Sequence, residues 1–186
     1  YDKVVLGGDF IYDCSNDEEL ENFYNFYKKN DVNFVIGNHD NCEQIFKLYT
    51  LNKKTENYHE LIGENLIFYL NTSKEDSQEI KSIIEYIDQV IENESPNNII
   101  IFTHQLIFSN SDWHVRTNSR KYYSYGNNIY KELYEKYHED QRQFYFISGD
   151  IGAFRYTPFA FYDKDVNFNF LASGIGNGTN TIGLLL

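Results

Sequence analysis

Four short apolar runs in this chain break off in the same way. They are "KVVLGGDF" (residues 3–10), "VNFVIGNHD" (32–40), "NIIIFTHQ" (98–105) and "QFYFISGD" (143–150). Each is rich in β-branched or aromatic residues, and each stops at a glycine or small polar residue. A run that short, closed by a turn signal, reads as a buried strand. Immediately beyond each run stands a side chain that can ligate a metal or move a proton: Asp9, then Asn38, His39 and Asp40, then His104, then Asp150.

Helical patterns lie between the runs. Ser15 and Glu18 have capping-box spacing and would open a helix carrying Leu20, Phe23, Tyr24 and Tyr27 on one face. "EQIFKLYTL" reads as a short helix. Ser73 can cap a long helix to about Asn93, whose stripe of Ile80, Ile83, Ile84, Ile87 and Ile91 has a 3.6-residue period. "IYKELYEKYH" is a further helix. "NYHELIGENLIFYLN" reads as two strands joined at Gly63 and Glu64, and "VNFNFLASGIGNG" as a last strand entering a glycine-rich loop. Strands alternating with helices predict an α/β fold with a largely parallel central sheet. In such sheets, ligands gather at the carboxyl ends of the strands.

The length of 186 residues suits one domain, read here as spanning 1–186, and 41% apolar and 18% aromatic residues argue against disorder. A net charge of −12 disfavours long nucleic acids, but a small phosphorylated substrate stays open, because bound divalent cations would invert the sign locally. Cys14 and Cys42 form no Cys-x-x-Cys pair and say little about redox compartment. No stretch approaches the roughly 20 apolar residues that span a bilayer. The chain opens on Tyr1, contains no Met and ends on "TIGLLL", which reads as a piece of a longer protein. Compartment and oligomeric state are not legible.

Taken singly, each polar group at a strand end has an ordinary explanation. Asp9 and Asp150 can be turn residues, residues 38–40 can cap the next helix, and His104 can be a satisfied histidine. Four strand ends delivering such groups to one sheet edge is a different matter. Carboxylate, amide oxygen and imidazole together suit a divalent metal of the Mn, Fe or Zn type. His59 and His138 read as ordinary strand and helix residues.

"GGDF", "GNHD" and "FTHQ", in this order, resemble the calcineurin-like metallophosphoesterase family, whose motifs run Asp-x-His, Gly-Asp, Gly-Asn-His-Asp/Glu, a lone His after an apolar strand, and Gly-His-x-His. The resemblance covers essentially the whole chain. It implies a four-layer α/β/β/α sandwich, a two-metal site and hydrolysis of phosphomonoesters or phosphodiesters by a metal-activated water. It further implies that Asp9 bridges the metals and that Asn38 and His104 bind the second one. His39 would contact the phosphate and protonate the leaving group, oriented by Asp40.

Two departures stand out. The Asp-x-His motif, with the first strand of the fold, is expected upstream of Tyr1. Where Gly-His-x-His is expected the chain has Gly149-Asp150-Ile151-Gly152. Asp150 would replace one histidine ligand, whereas Gly152 offers no side chain in place of the other. The site would then hold one or two metals, with His114 a candidate to complete it. The polar, basic segment 108–128 could overhang the site, and its Arg116 and Arg120 could contact the substrate phosphate. The alternative is a degenerate domain of this class, with a partial metal site, acting as a binding or regulatory module.

Overall fold

The computed structural model describes residues 4–30, 32–51, 56–73, 77–108, 123–151 and 160–174. In chain order the elements are β1 (Val4–Leu6), α1 (Asp17–Lys29), β2 (Val32–Phe34), α2 (Glu43–Leu51), β3 (Tyr58–Ile62), β4 (Asn65–Leu70), α3 (Ser77–Glu94), β5 (Asn98–Thr103), α4 (Tyr123–Tyr137), β6 (Gln143–Ser148), β7 (Ala160–Asp165) and β8 (Phe168–Ser173). The parallel pair β1–β2 forms one sheet, and the order β3-β4-β5-β6-β8-β7 forms a second. The inner strands β4, β5, β6 and β8 are parallel, whereas the outer strands β3 and β7 run antiparallel to their neighbours.

Alternation along the inner strands divides the interior in two. Leu66, Phe68 and Leu70 of β4, Ile99 and Ile101 of β5, Phe144 and Phe146 of β6, and Phe168 and Phe170 of β8 face the isoleucine stripe of α3 and the inner face of α4. The intervening Ile67 and Tyr69 of β4, with Phe102 of β5, face the other way. They join Phe34, Val35 and Ile36 at β2, Leu20 and Phe23 of α1, and Ile45 and Leu48 of α2 in a second core. The layers are therefore α3 and α4, the six-stranded sheet, the two-stranded sheet, and α1 with α2. This is the expected α/β sandwich.

Several local expectations are corrected. The N-cap of α1 is Asn16, not Ser15: its side chain accepts from the N–H groups of Glu18 and Glu19, and its amide donates back to Glu19 Oε1 at 3.1 Å. The capping pair is thus Asn16 with Glu19, one position along. Ser73 does not cap α3, which begins at Ser77; the Ser73 N–H donates to Asn71 Oδ1 in a local Asx turn. Strand β1 is not buried, because among the described residues it pairs on one edge only, and Val4 is 44% exposed. The helix expected from Ile129 begins earlier, at Tyr123. Strand β7 was not foreseen. It lies at the sheet's edge, turned back from β8 at Val166, which takes a positive φ of 51°.

Candidate metal centre

The site is built where β1, β5 and β6 end. Thr103 of β5 and Ser148 of β6 are register partners, so His104 and Gly149 leave the sheet side by side. The His104 carbonyl accepts from both Gly149 N at 3.1 Å and Asp150 N at 2.9 Å, which binds the two strand exits together. From the other sheet, β1 runs into Gly7, Gly8 and Asp9. Gly149 permits the approach: a Cβ there would lie 2.6 Å from the Gly7 oxygen. Gly8 has a φ of +88°, and a Cβ on it would meet His104 Nδ1 at 2.5 Å. Both glycines are needed for the β1 loop to lie on His104. Asp9 itself sits at φ 53°, a left-handed conformation that aspartate tolerates better than most residues.

Three donor groups converge there. His104 Nε2 is 3.2 Å from Asp9 Oδ2 and 3.8 Å from Asp150 Oδ1. One ligand atom from each of Asp9, His104 and Asp150 lies within 4.8 Å of the other two. His104 and Asp150 are each 2% exposed, and Asp9 is half-buried. Among the described residues this is the group of acidic, histidine and cysteine side chains that could hold a metal ion.

His104 turns Nε2 toward the two carboxylates. Its Nδ1 lies 2.7 Å from the Gly7 carbonyl oxygen, which can only accept, so Nδ1 carries the hydrogen. The Nε2 lone pair then faces the two carboxylates. Although close to both, Nε2 is buried without an aligned hydrogen bond. Convergence without alignment fits a cation shared by all three groups. Burial alone would lower the His104 pKa, but Asp9 first and then Asp150 outweigh burial and raise it to about 9. Burial likewise works to raise Asp9, yet His104 and the N–H of His39 hold its carboxyl below the usual range.

The loop after β2 closes the site from the side. The His39 N–H donates to Asp9 Oδ1 at 3.0 Å. Asp40 Oδ1 accepts from Asp9 N at 2.9 Å and from Gly37 N at 3.0 Å. Asp40 is 0% exposed, its Oδ2 has no hydrogen-bond partner, and burial pushes its pKa up to about 7 against the pull of the His104 charge. Asp40 was expected to orient the His39 ring. Here its carboxylate faces main-chain N–H groups instead, and the ring is held by Tyr12, whose carbonyl oxygen lies 3.0 Å from His39 Nδ1. Asn38 is half-buried on the same loop. His114, Arg116, Arg120 and Gly152 lie outside the described residues.

Two features escaped the sequence reading. One is Tyr12. The other is a disulfide between Cys14 and Cys42, which joins the loop carrying Asp9 to the loop carrying His39. The available signal was one cysteine downstream of each motif, Cys14 five positions past Asp9 and Cys42 four past Asn38.

An α/β sandwich gathers carboxylates and imidazole where its two sheets meet, in a group that could hold a metal ion. The model of the calcineurin-like phosphoesterase family matches residues 1–149, and the chain belongs to that family. The match stops one residue short of Asp150. No curated protein matches the chain significantly. No helix among the described residues is long and apolar enough to cross a membrane.

Proposed function

We propose that this chain is a metal-dependent phosphoester hydrolase, a single domain over residues 1–186, acting on a small phosphomonoester or phosphodiester. The observation that carries the reading is His104, its Nδ1–H fixed on a backbone carbonyl and its Nε2 buried between two carboxylates. Asp9, His104 and Asp150, with the Asn38 amide oxygen, are the residues that would hold a divalent ion of the Mn, Fe or Zn type. When bound, such an ion supplies Lewis-acid polarisation of the phosphoryl oxygens and a water acidic enough to attack at neutral pH.

The chain's own residues supply the rest. The half-buried Asp9 uses Oδ1 to fix the His39 main chain and Oδ2 to face His104, so one carboxylate ties the ligand group to the proton donor. His39, which is exposed, would give a proton to the leaving oxygen through Nε2. Asp40 acts one step back, as the acceptor that pins Asp9 N and Gly37 N. Arg116, Arg120 and His114 are proposed to contact substrate phosphate.

The test uses the whole chain with Mn²⁺ and an aryl phosphate monoester and diester. Metal-dependent hydrolysis is expected, lost with a chelator and lowered at least about 100-fold in Asp9→Asn. Asp150→Asn should weaken Mn²⁺ binding by about tenfold or more. Wild-type chain that neither binds metal nor hydrolyses either ester would overturn the reading. Gly152 favours a second reading, a binding or regulatory module of the same family: its signature is metal and phosphoester binding without turnover.

A further inference from the structure

His39 lies exposed at the rim, yet its ring is held on two sides by one residue. Nδ1 is 3.0 Å from the Tyr12 carbonyl oxygen, and the Tyr12 ring stacks on the imidazole with centroids 5.0 Å apart and planes 19° from parallel. A carbonyl oxygen only accepts, so Nδ1 carries a hydrogen whatever the charge of the ring. Proton exchange then falls to Nε2, the ring nitrogen that does not meet the Tyr12 carbonyl.

Tyr12 is itself fixed. Glu19, in the first turn of α1, accepts through Oε2 from Tyr12 N at 2.9 Å and Asp13 N at 3.1 Å. Two residues on, Cys14 is bonded to Cys42, just past His39. Burial does not account for this tyrosine's position, since it is 77% exposed. The one carboxylate next to His39 in sequence, Asp40, is engaged through Oδ1 with Asp9 N and Gly37 N, whereas the partner of His39 Nδ1 is the Tyr12 carbonyl.

We infer that Tyr12 is a positioning residue for His39: its carbonyl sets the tautomer and its ring sets the plane, so that Nε2 alone is presented for proton transfer. The inference rests on the proposed phosphoester hydrolysis for its kinetic consequence, but not for its structural one. The two contributions separate by substitution. Tyr12→Ala removes the ring and keeps the carbonyl, and Tyr12→Phe keeps both and loses only the hydroxyl.

The experiment combines kinetics on the Mn²⁺-loaded chain with ¹⁵N-edited imidazole spectra of the metal-free chain. Wild type should show the neutral His39 ring with hydrogen on Nδ1. Tyr12→Ala, which keeps the carbonyl, should keep the hydrogen on Nδ1 but release the plane of the ring, with kcat lowered about tenfold or more and KM within about twofold. The upper bound on that loss is the roughly 10²–10⁴ that a positioned proton donor contributes. Tyr12→Phe should restore kcat. Hydrogen on Nε2 in the neutral wild-type ring would overturn the inference. So would a Tyr12→Ala enzyme with wild-type kcat when His39→Ala is impaired. If His39→Ala is unimpaired, the proton-donor role is what fails, and the spectra still decide the positioning.

Discussion

Replacing Gly37 by alanine should damage the site more than the fold. Gly37 is buried where the chain leaves β2, and a Cβ there would overlap Asp9 Oδ1 while lying 2.5 Å from Asp9 N and 2.8 Å from Asp40 Oδ1. None of these atoms can yield cheaply. Asp9 N is main chain and donates to Asp40 Oδ1, and Asp9 Oδ1 accepts the His39 N–H. Ordinary contact requires about 3.4 Å, so Asp9 must retreat by about 1 Å. Overpacking of this kind costs about 1–3 kcal/mol, and a strained hydrogen bond to the Asp40 carboxylate adds about 1 kcal/mol. A displacement of about 1 Å in a group that positions the reaction costs about 100-fold in rate. The control is Gly63→Ala. Gly63 has φ +60°, and a methyl added there would meet no atom within 4 Å, so that change costs about 1–2 kcal/mol of backbone strain and leaves the site alone. Urea unfolding, Mn²⁺ titration calorimetry and aryl phosphate hydrolysis on both variants separate the effects. The expected result is destabilisation of about 2–4 kcal/mol in Gly37→Ala against about 1–2 kcal/mol in Gly63→Ala, with Mn²⁺ affinity and turnover lost only in Gly37→Ala. Wild-type Mn²⁺ affinity in Gly37→Ala, or equal loss in Gly63→Ala, would refute the reasoning.

Two further outcomes are expected. In metal-free protein, Asp40 is raised from 3.8 to about 7 and His104 from 6.5 to about 9, so in both cases the folded chain holds its proton more tightly than the unfolded chain. That stabilisation is complete below the unfolded values and is lost as pH rises through the folded ones. Chelated protein should therefore unfold at lower urea concentration at pH 9 than at pH 5, a shift that Mn²⁺ opposes; a midpoint that rises with pH would contradict it. Replacing both Cys14 and Cys42 by serine opens a bond spanning 28 positions, worth about 3–4 kcal/mol in loop-closure entropy. Oxidised wild type should unfold at higher denaturant than the double variant, and reductant should erase the difference.

The strand ends were legible because the physics that makes them is local. A run such as "NIIIFT" has nowhere to go but a sheet interior, and a polar residue after it must leave the sheet at its carboxyl end. The stripe on α3 was legible for the same reason: its isoleucines repeat with the helix period and are buried together. What failed was what depends on a neighbour in space. β7 alternates between half-buried and exposed residues and carries Asp163, Lys164 and Asp165, so only its pairing with β8 makes it a strand. β1 has the composition of a buried strand but among the described residues pairs on one side only. Asp40 was assigned to the ring beside it in sequence, whereas folding turns its carboxylate toward backbone groups of another loop. Tyr12 could not be chosen among 17 tyrosines, because its partner is 27 positions away.

Gly7 and Gly149, packed backbone to backbone, are where the two sheets meet, and the site lies on that seam. Asp9 belongs to one sheet, and His104 and Asp150 to the other. On the proposed reading, a cation held by all three is also a rivet, so occupancy and sheet docking form one linked equilibrium. The apparent affinity is then the intrinsic affinity scaled by the docked fraction. Substitutions in the inter-sheet core, at Phe34 or Tyr69, act on the ion without touching it. Conversely, an ion at 100 times its dissociation constant adds about 2.7 kcal/mol to the cohesion of the two layers. Slowed amide exchange on both sides of the seam would register that cohesion.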